Sequence, residues 1–216
     1  MAGKPLQPDA ARMKLHWSPR SPFVRKVMVA AHELGLTDRI HRVRTVVRMG
    51  QPNADLLPDN PLSKIPTLVL ADGAVLMDSV VICEYLDALA GGGGLFPPSG
   101  PERWTALARH ALGNGLLDIL ILWRNERDKP EPARLPELLD SFAVKTRATL
   151  DRFQRDAPAL AAERFNIGHI AVGCCLSYLD FRFPDLGWRE GRPALAAWHE
   201  GFRARPSAQA TEAVDE

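Results

Sequence analysis

Residues 60–89 read NPLSKIPTLVLADGAVLMDSVVICEYLDAL, and this stretch decides the fold. Pro66–Leu70 is a strand headed by a proline, whose missing N–H suits a strand start. Asp72-Gly73 is a two-residue hairpin signal, and Ala74–Met77 is the return strand. Ser79 is placed to cap a helix whose apolar face is Val81, Ile82, Tyr85, Leu86 and Leu89. Upstream, Lys14–Trp17 is a strand. Ser21-Pro22-Phe23 opens a helix that continues through Val24, Val27, Met28, Ala31 and Leu34 to a terminator at Gly35. Residues 41–48 set Val43, Thr45 and Val47 against Arg42, Arg44 and Arg48, the alternation of a half-buried strand. Residues 49–63, rich in proline and asparagine, predict irregular chain with a helical turn near Ala54–Leu57.

Downstream, Gly91–Gly94 and the prolines Pro97, Pro98 and Pro101 mark a linker. Beyond it, residues 102–127, 135–155, 167–181 and 193–204 all carry helical periodicity, with no strand alternation. The pattern predicts an α/β plus all-α chain: a small α/β unit over residues 13–91, a linker at 92–100 and an all-helical unit over 101–216. Residues 1–12, polar with two prolines, are expected to form a disordered extension.

Composition excludes several function classes. The 216 residues are 46% hydrophobic and 25% charged, with a net charge of +1. That balance gives no electrostatic reason to expect nucleic acid or an anionic membrane as partner. No run approaches the ~20 apolar residues of a membrane span, and MAGKPLQPDAAR does not read as a secretory signal. Cys83, Cys174 and Cys175 are too few for a disulfide framework and predict reduced thiols in the cytoplasm.

Three constellations carry chemistry. In Ser18-Pro19-Arg20-Ser21-Pro22-Phe23 a strand end meets a helix start, so Ser21 either caps the helix or donates a hydrogen bond to an anion held at its N-terminus. An anion such as a thiolate would have its pKa lowered there. In Asn60–Leu68, Pro66 is either a trans proline starting an edge strand or, if cis, a device that turns the Ile65 backbone outward to pair with a bound peptide. In Asp78-Ser79 the pair either caps a helix or holds the carboxylate and ammonium of a ligand.

Taken in order, SPFVRKV, NPLSKIPTLVL and LMDSVVICEYLD resemble the cytosolic glutathione S-transferase superfamily, in a bacterial-type form with serine at the activating position. The likeness covers residues 13–211. It implies a thioredoxin-like N-terminal domain, an all-α C-terminal domain, glutathione as cosubstrate, no metal, and a homodimer. It places Ser21, with Ser18 as second candidate, at the thiol. It gives the Ile65 backbone, with Pro66 cis, to the cysteinyl part, Asp78 and Ser79 to the γ-glutamyl end, and Lys64 to the glycyl carboxylate. The implied reaction conjugates glutathione to a small hydrophobic electrophile, as in detoxification. A glutathione-dependent isomerase or dehalogenase, or a non-catalytic binding protein, would share the scaffold. The lack of a cysteine near residue 21 favours conjugation over thiol–disulfide exchange, which needs one. Asn114, Asp118, Trp123 and Arg124 are the polar and aromatic candidates for the second-substrate pocket. Asn166 and His169 occupy the family's capping box, where His169 replaces the usual Asp and puts the reciprocal bond in question.

Overall fold

The computed structural model describes residues 12–215. Four strands form one mixed sheet: β1 (Met13–Trp17), β2 (Ile40–Arg44), β3 (Thr67–Val69) and β4 (Val75–Leu76). Their spatial order is β2-β1-β3-β4. β1 is central and mostly buried, parallel to β2 and antiparallel to β3, and β4 closes the sheet antiparallel to β3. α1 (Pro22–Glu33) and α2 (Ser79–Leu89) complete a thioredoxin-like N-terminal domain. The rest is helical: α3 (Gly100–Arg127), α4 (Pro136–Ala162), α5 (Ile167–Arg182), α6 (Pro193–Arg203) and α7 (Pro206–Gln209).

Several elements differ from their sequence signals for identifiable reasons. The strand expected over 41–48 ends at Arg44, and Thr45 adds one further bond to the Trp17 carbonyl at 2.8 Å. The hairpin loop holds three residues, because Leu70 pairs with Ala74 and Gly73 takes φ +86 as the left-handed third residue. The cap of α2 is Asp78, whose carboxylate accepts from the Val80 N–H at 3.1 Å, so Ser79 is the first helical residue. α4 runs on past Pro158 to Ala162, since Ala157 and Leu160 are buried and their packing outweighs the lost N–H. The stretch read as a linker is not slack. Leu95 and Phe96 are buried, and the Asp87 carboxylate collects the N–H groups of Gly93, Leu95 and Phe96 at 2.9, 2.6 and 3.3 Å. The extension expected over residues 1–12 lies, up to residue 11, outside the described residues.

α5 is the axis of the molecule, buried from Ile167 to Leu179. One core spans the sheet, α1, α2 and the near side of α5, and a second joins α3–α6 on its far side. Close approach is built in by glycine. A Cβ at Gly173 would stand 2.4 Å from the Phe202 ring, and one at Gly113 would stand 3.0 Å from the Ala171 backbone. The capping box of α5 does close. His169 Nε2 faces the Leu160 carbonyl at 3.0 Å, which can only accept, so Nε2 carries the proton and Nδ1 accepts the Asn166 N–H at 3.2 Å. The three cysteines are buried and free, and burial pushes the Cys83 thiol up to about 12 and Cys174 up to about 11. Among the described residues no helix is long and apolar enough to cross a membrane.

Burial also holds three histidines below their ordinary pKa: His110 at about 3, His199 at about 4, and His169 in the same direction. The folded chain keeps them neutral where the unfolded chain takes up protons. Their stabilising contribution is therefore intact above pH ~6.5 and falls as pH drops toward the folded values. Urea unfolding between pH 6.5 and 5 should show stability falling with a limiting slope of about 3 kcal/mol per pH unit, two protons' worth from His110 and His199, with His169 adding in the same direction. A flat profile over that window would mean that the histidines are already charged in the fold.

Candidate active site

Strand register gathers the three sequence constellations at one end of the sheet. His16 pairs with Thr67, so the end of β1 lies beside the start of β3. Leu68 pairs with Leu76, so the end of β4 lies there too. Ser18–Ser21 follow β1, Ile65-Pro66 precede β3, and Asp78-Ser79 follow β4. Residues far apart in sequence thus share one edge.

Ser21 is the N-cap of α1, and its Oγ accepts from the Val24 N–H at 3.3 Å. A hydroxyl has two lone pairs and one proton, so capping leaves the O–H free to donate outward. The two readings of Ser21 are therefore compatible. Pro22 follows at the first helical position, where its missing N–H costs nothing. Ser18 sits in the preceding turn, its carbonyl accepting from Ser21 N at 3.2 Å and its Oγ lying 3.4 Å from Arg20 N.

The Ile65–Pro66 peptide is cis. Among the described residues the Ile65 N–H and C=O have no hydrogen-bond partner, so the head of β3 keeps one unpaired backbone donor and one unpaired acceptor. Asn60, 1% exposed, shapes the approach. Its amide donates to the Lys64 carbonyl at 3.0 Å and to Thr67 Oγ1 at 2.9 Å, and its oxygen accepts from Leu62 N at 3.0 Å. Ser63 turns at φ +50 and accepts from Asn53 N at 2.8 Å. Lys64 is left exposed by this turn. From the sheet side, the Asp59 carboxylate binds Lys14 Nζ at 2.6 Å and His16 Nε2 at 2.8 Å, tying the loop to β1.

Asp78 caps α2 from an exposed position. Ser79 is 2% exposed, and its hydroxyl has no partner among the described residues. The pair offers a carboxylate, a hydroxyl and a helix N-terminus, which together suit a ligand bearing both an ammonium and a carboxylate.

α3 forms the facing wall. Lys26, 0% exposed, projects from α1 to it, donating to Asn114 Oδ1 and to His110 Nε2 at 3.2 Å, with the Phe23 ring 5.1 Å from Nζ. Among the described residues no carboxylate lies within ion-pair reach, and burial lowers its pKa. Asn114 is thus engaged by Lys26, while its Nδ2 faces Asp118 at 3.5 Å. Partial desolvation raises the Asp118 pKa, the charges of Lys64 and Lys26 oppose it, and Asp78 adds to it, so these groups share one field. Trp123 stands apart. Five residues beyond Asp118 it is turned by roughly 140° and packs on Phe183, ring centroids 5.1 Å apart. Arg124 donates to the Tyr178 hydroxyl at 3.3 Å. Sequence reasoning missed Asn60 as an organiser of the loop and Lys26 altogether. An asparagine before proline was the visible sign of the first, and the second had none.

A family model described as glutathione S-transferase, N-terminal domain, matches residues 20–89, and one described as glutathione S-transferase, C-terminal domain, matches residues 136–201. A glutathione transferase family member from Pseudomonas fluorescens Pf-5, solved with bound glutathione, is 40% identical, with TM-score 0.91 over 94% of this chain and 100% of that one. A glutathione S-transferase from Methylobacillus flagellatus KT, solved with glutathione bound, is 33% identical, with TM-score 0.83 over 94% and 100% of the two chains. The GST-like protein YibF of Escherichia coli K12, itself uncharacterised, is 29% identical over 93% of this chain and 98% of its own.

The Lys26 joint makes a stability prediction. Asn114→Leu leaves the buried ammonium with His110 as its one side-chain acceptor and should cost about 2 kcal/mol or more. Calorimetry should then show a melting temperature lower by about 5 °C. Lys26→Met in the same background should recover most of the loss, because it removes the uncompensated charge. Equal melting of Asn114→Leu and the parent would show that the joint contributes nothing.

Proposed function

Because the chain belongs to the glutathione S-transferase family, we propose that it is a transferase that conjugates the thiolate of glutathione to a small hydrophobic electrophile. The observation that carries this reading is the unpaired Ile65 backbone at the sheet end shared by Ser21 and Asp78-Ser79. The cysteinyl part of the peptide would pair with Ile65 as an added strand. Its γ-glutamyl ammonium would meet Asp78, its γ-glutamyl carboxylate Ser79 and the start of α2, and its glycyl carboxylate Lys64.

Ser21 is not the nucleophile in this scheme. The sulfur of glutathione attacks the electrophile, and the Ser21 O–H and the first turn of α1 stabilise its anion. A free thiol of pKa ~8.5 is a few per cent ionised at pH 7. Lowering the pKa by about two units, worth about 3 kcal/mol, makes thiolate the major form. The second substrate would enter between the sheet end and α3, with Asn114 and Asp118 at the rim and Trp123 behind it as packing. Ser18, its Oγ close to the Arg20 N–H, is the weaker candidate for the thiol contact. We place the reaction in the cytoplasm, on reduced glutathione. Exposed apolar side chains on α2 and α3, Val81 at 43% and Trp104 at 68%, support a homodimer burying that face.

The test combines calorimetric titration with glutathione and turnover against a panel of aryl and alkyl electrophiles. Ser21→Ala should lower kcat about tenfold to a hundredfold and move the thiol's apparent pKa back toward 8.5, while glutathione affinity changes by less than about threefold. Ser18→Ala should change both much less. Unchanged turnover in Ser21→Ala would overturn the role of Ser21. No binding at millimolar glutathione would overturn the function.

A further inference from the structure

α1, α5, α6 and the C-terminal segment line an open cavity of about 540 Å³. That is the size of a small-molecule site. Its wall is charged, and most of the charge is matched internally. Arg189 forks onto Asp180 at 2.5 and 2.8 Å and lies 3.5 Å from Glu200, which also pairs with Arg203 at 3.4 Å. Besides Glu212 of the C-terminal segment, Arg25 on α1 is the exception. It is 7% exposed, and its one hydrogen bond among the described residues runs from Nη2 to the Ala208 carbonyl at 3.1 Å. Its Nε is buried with no partner. Among the described residues no carboxylate lies within ion-pair reach of it. A lysine in such a place can shed its proton, but a guanidinium cannot. Arg25 is therefore a permanent, unmatched cation on the wall of a ligand-sized cavity.

A second feature of the wall limits what the cavity can do. Ser177 Oγ lies 3.0 Å from His199 Nε2, and Asp180 Oδ2 lies 3.8 Å from His199 Nδ1, in the manner of a hydrolytic triad. Arg189 Nη2, however, sits 3.3 Å from Nδ1 and can only donate. Nδ1 must then accept, so Nε2 carries the proton and donates to Ser177. The histidine cannot act as base toward that hydroxyl, and the cavity is fitted for binding and not for hydrolysis.

We propose that this cavity binds a small organic monocarboxylate, its carboxylate on the Arg25 guanidinium and its apolar body against Phe181, independently of the sheet-end site. The Arg25 guanidinium can take one carboxylate as its partner. Glu212, which lines the cavity from the C-terminal segment and has no ion pair among the described residues, disfavours a second. The segment itself is clamped, since Asp215 pairs with Arg20 at 2.9 Å and with both Arg182 Nη atoms at 3.1 and 3.0 Å.

The test is calorimetric titration of the full chain with sodium benzoate, in the presence of saturating glutathione, with benzamide and inorganic phosphate as controls. Saturable benzoate binding is expected, with benzamide and phosphate each at least about tenfold weaker. Arg25→Gln should weaken benzoate by about tenfold or more. As that variant disturbs a buried residue, Glu212→Gln provides a second arm on an exposed position: it should tighten benzoate about two- to fivefold with the melting temperature unchanged. Three outcomes would overturn the proposal. These are no saturable benzoate binding to the parent chain, competition between benzoate and glutathione, or a fall in melting temperature in Glu212→Gln matching that in Arg25→Gln, which would make Glu212 the partner of Arg25.

Discussion

The side chain of Lys26 is completely enclosed, and the groups that enclose it belong to two domains. An ammonium taken out of water without a counter-ion costs several kcal/mol unless its protons find acceptors. The acceptors here, Asn114 and His110, are both on α3, one turn apart on one face. α1 cannot bury its lysine unless α3 is in place. A lysine bond also fixes direction in a way that apolar packing does not. The same helix that presents Ser21 at its start is held by Lys26 at its second turn, so the depth of the cleft between the sheet end and α3 is set by this contact. Cys174 and Cys83 lie in the same core, and burial keeps their thiols protonated, so they bring no counter-charge to the joint.

Sheet register is the second constraint. β1 and β3 are antiparallel and joined through a long crossover, so the chain leaves β1 where it enters β3. The β3–β4 hairpin then returns it to the same edge. Two helix N-termini and one unpaired strand head converge there, and each is a donor-rich place by backbone geometry alone. Side chains refine what the backbone has arranged. Asn60 holds the Lys64 carbonyl and Thr67, and Asp59 with Lys14 and His16 anchors the loop that carries them. A cleft made this way can receive an anionic peptide without a basic surface, in keeping with a net charge of +1.

What was legible in the sequence was local. The helices were visible because their apolar faces repeat at 3.6 residues, and the sheet domain because hairpin, caps and strands follow one another within short reach. Misreadings came where two local signals compete. Asp78 and Ser79 are both good caps, and sequence does not say which backbone turns first. Pro158 is a helix breaker on its own, yet it is carried along by the burial of its neighbours. His169 looked like a defect in a capping box, because the usual Asp accepts without question. The Leu160 carbonyl, nine positions away, settles its tautomer and makes it an acceptor. Lys26 had no local signature at all, since its partners lie 84 and 88 residues downstream. In sequence it reads as one more charge on an amphipathic helix.

Arg25 and Lys26 show how much burial depends on what is brought to meet it. They are neighbours on α1, turned about 100° from one another, and both are nearly inaccessible. Lys26 faces α3, and its protons have acceptors there. Arg25 faces the junction of α5, α6 and the C-terminal segment, where Asp180 is already taken by Arg189 and Trp188 and Glu200 is shared between Arg189 and Arg203. Both are buried, but Lys26 meets acceptors on α3 and Arg25 lies beside an open cavity. Among the described residues the Ala208 carbonyl is the one acceptor for that guanidinium, and a carboxylate in the cavity beside it would supply the missing counter-charge.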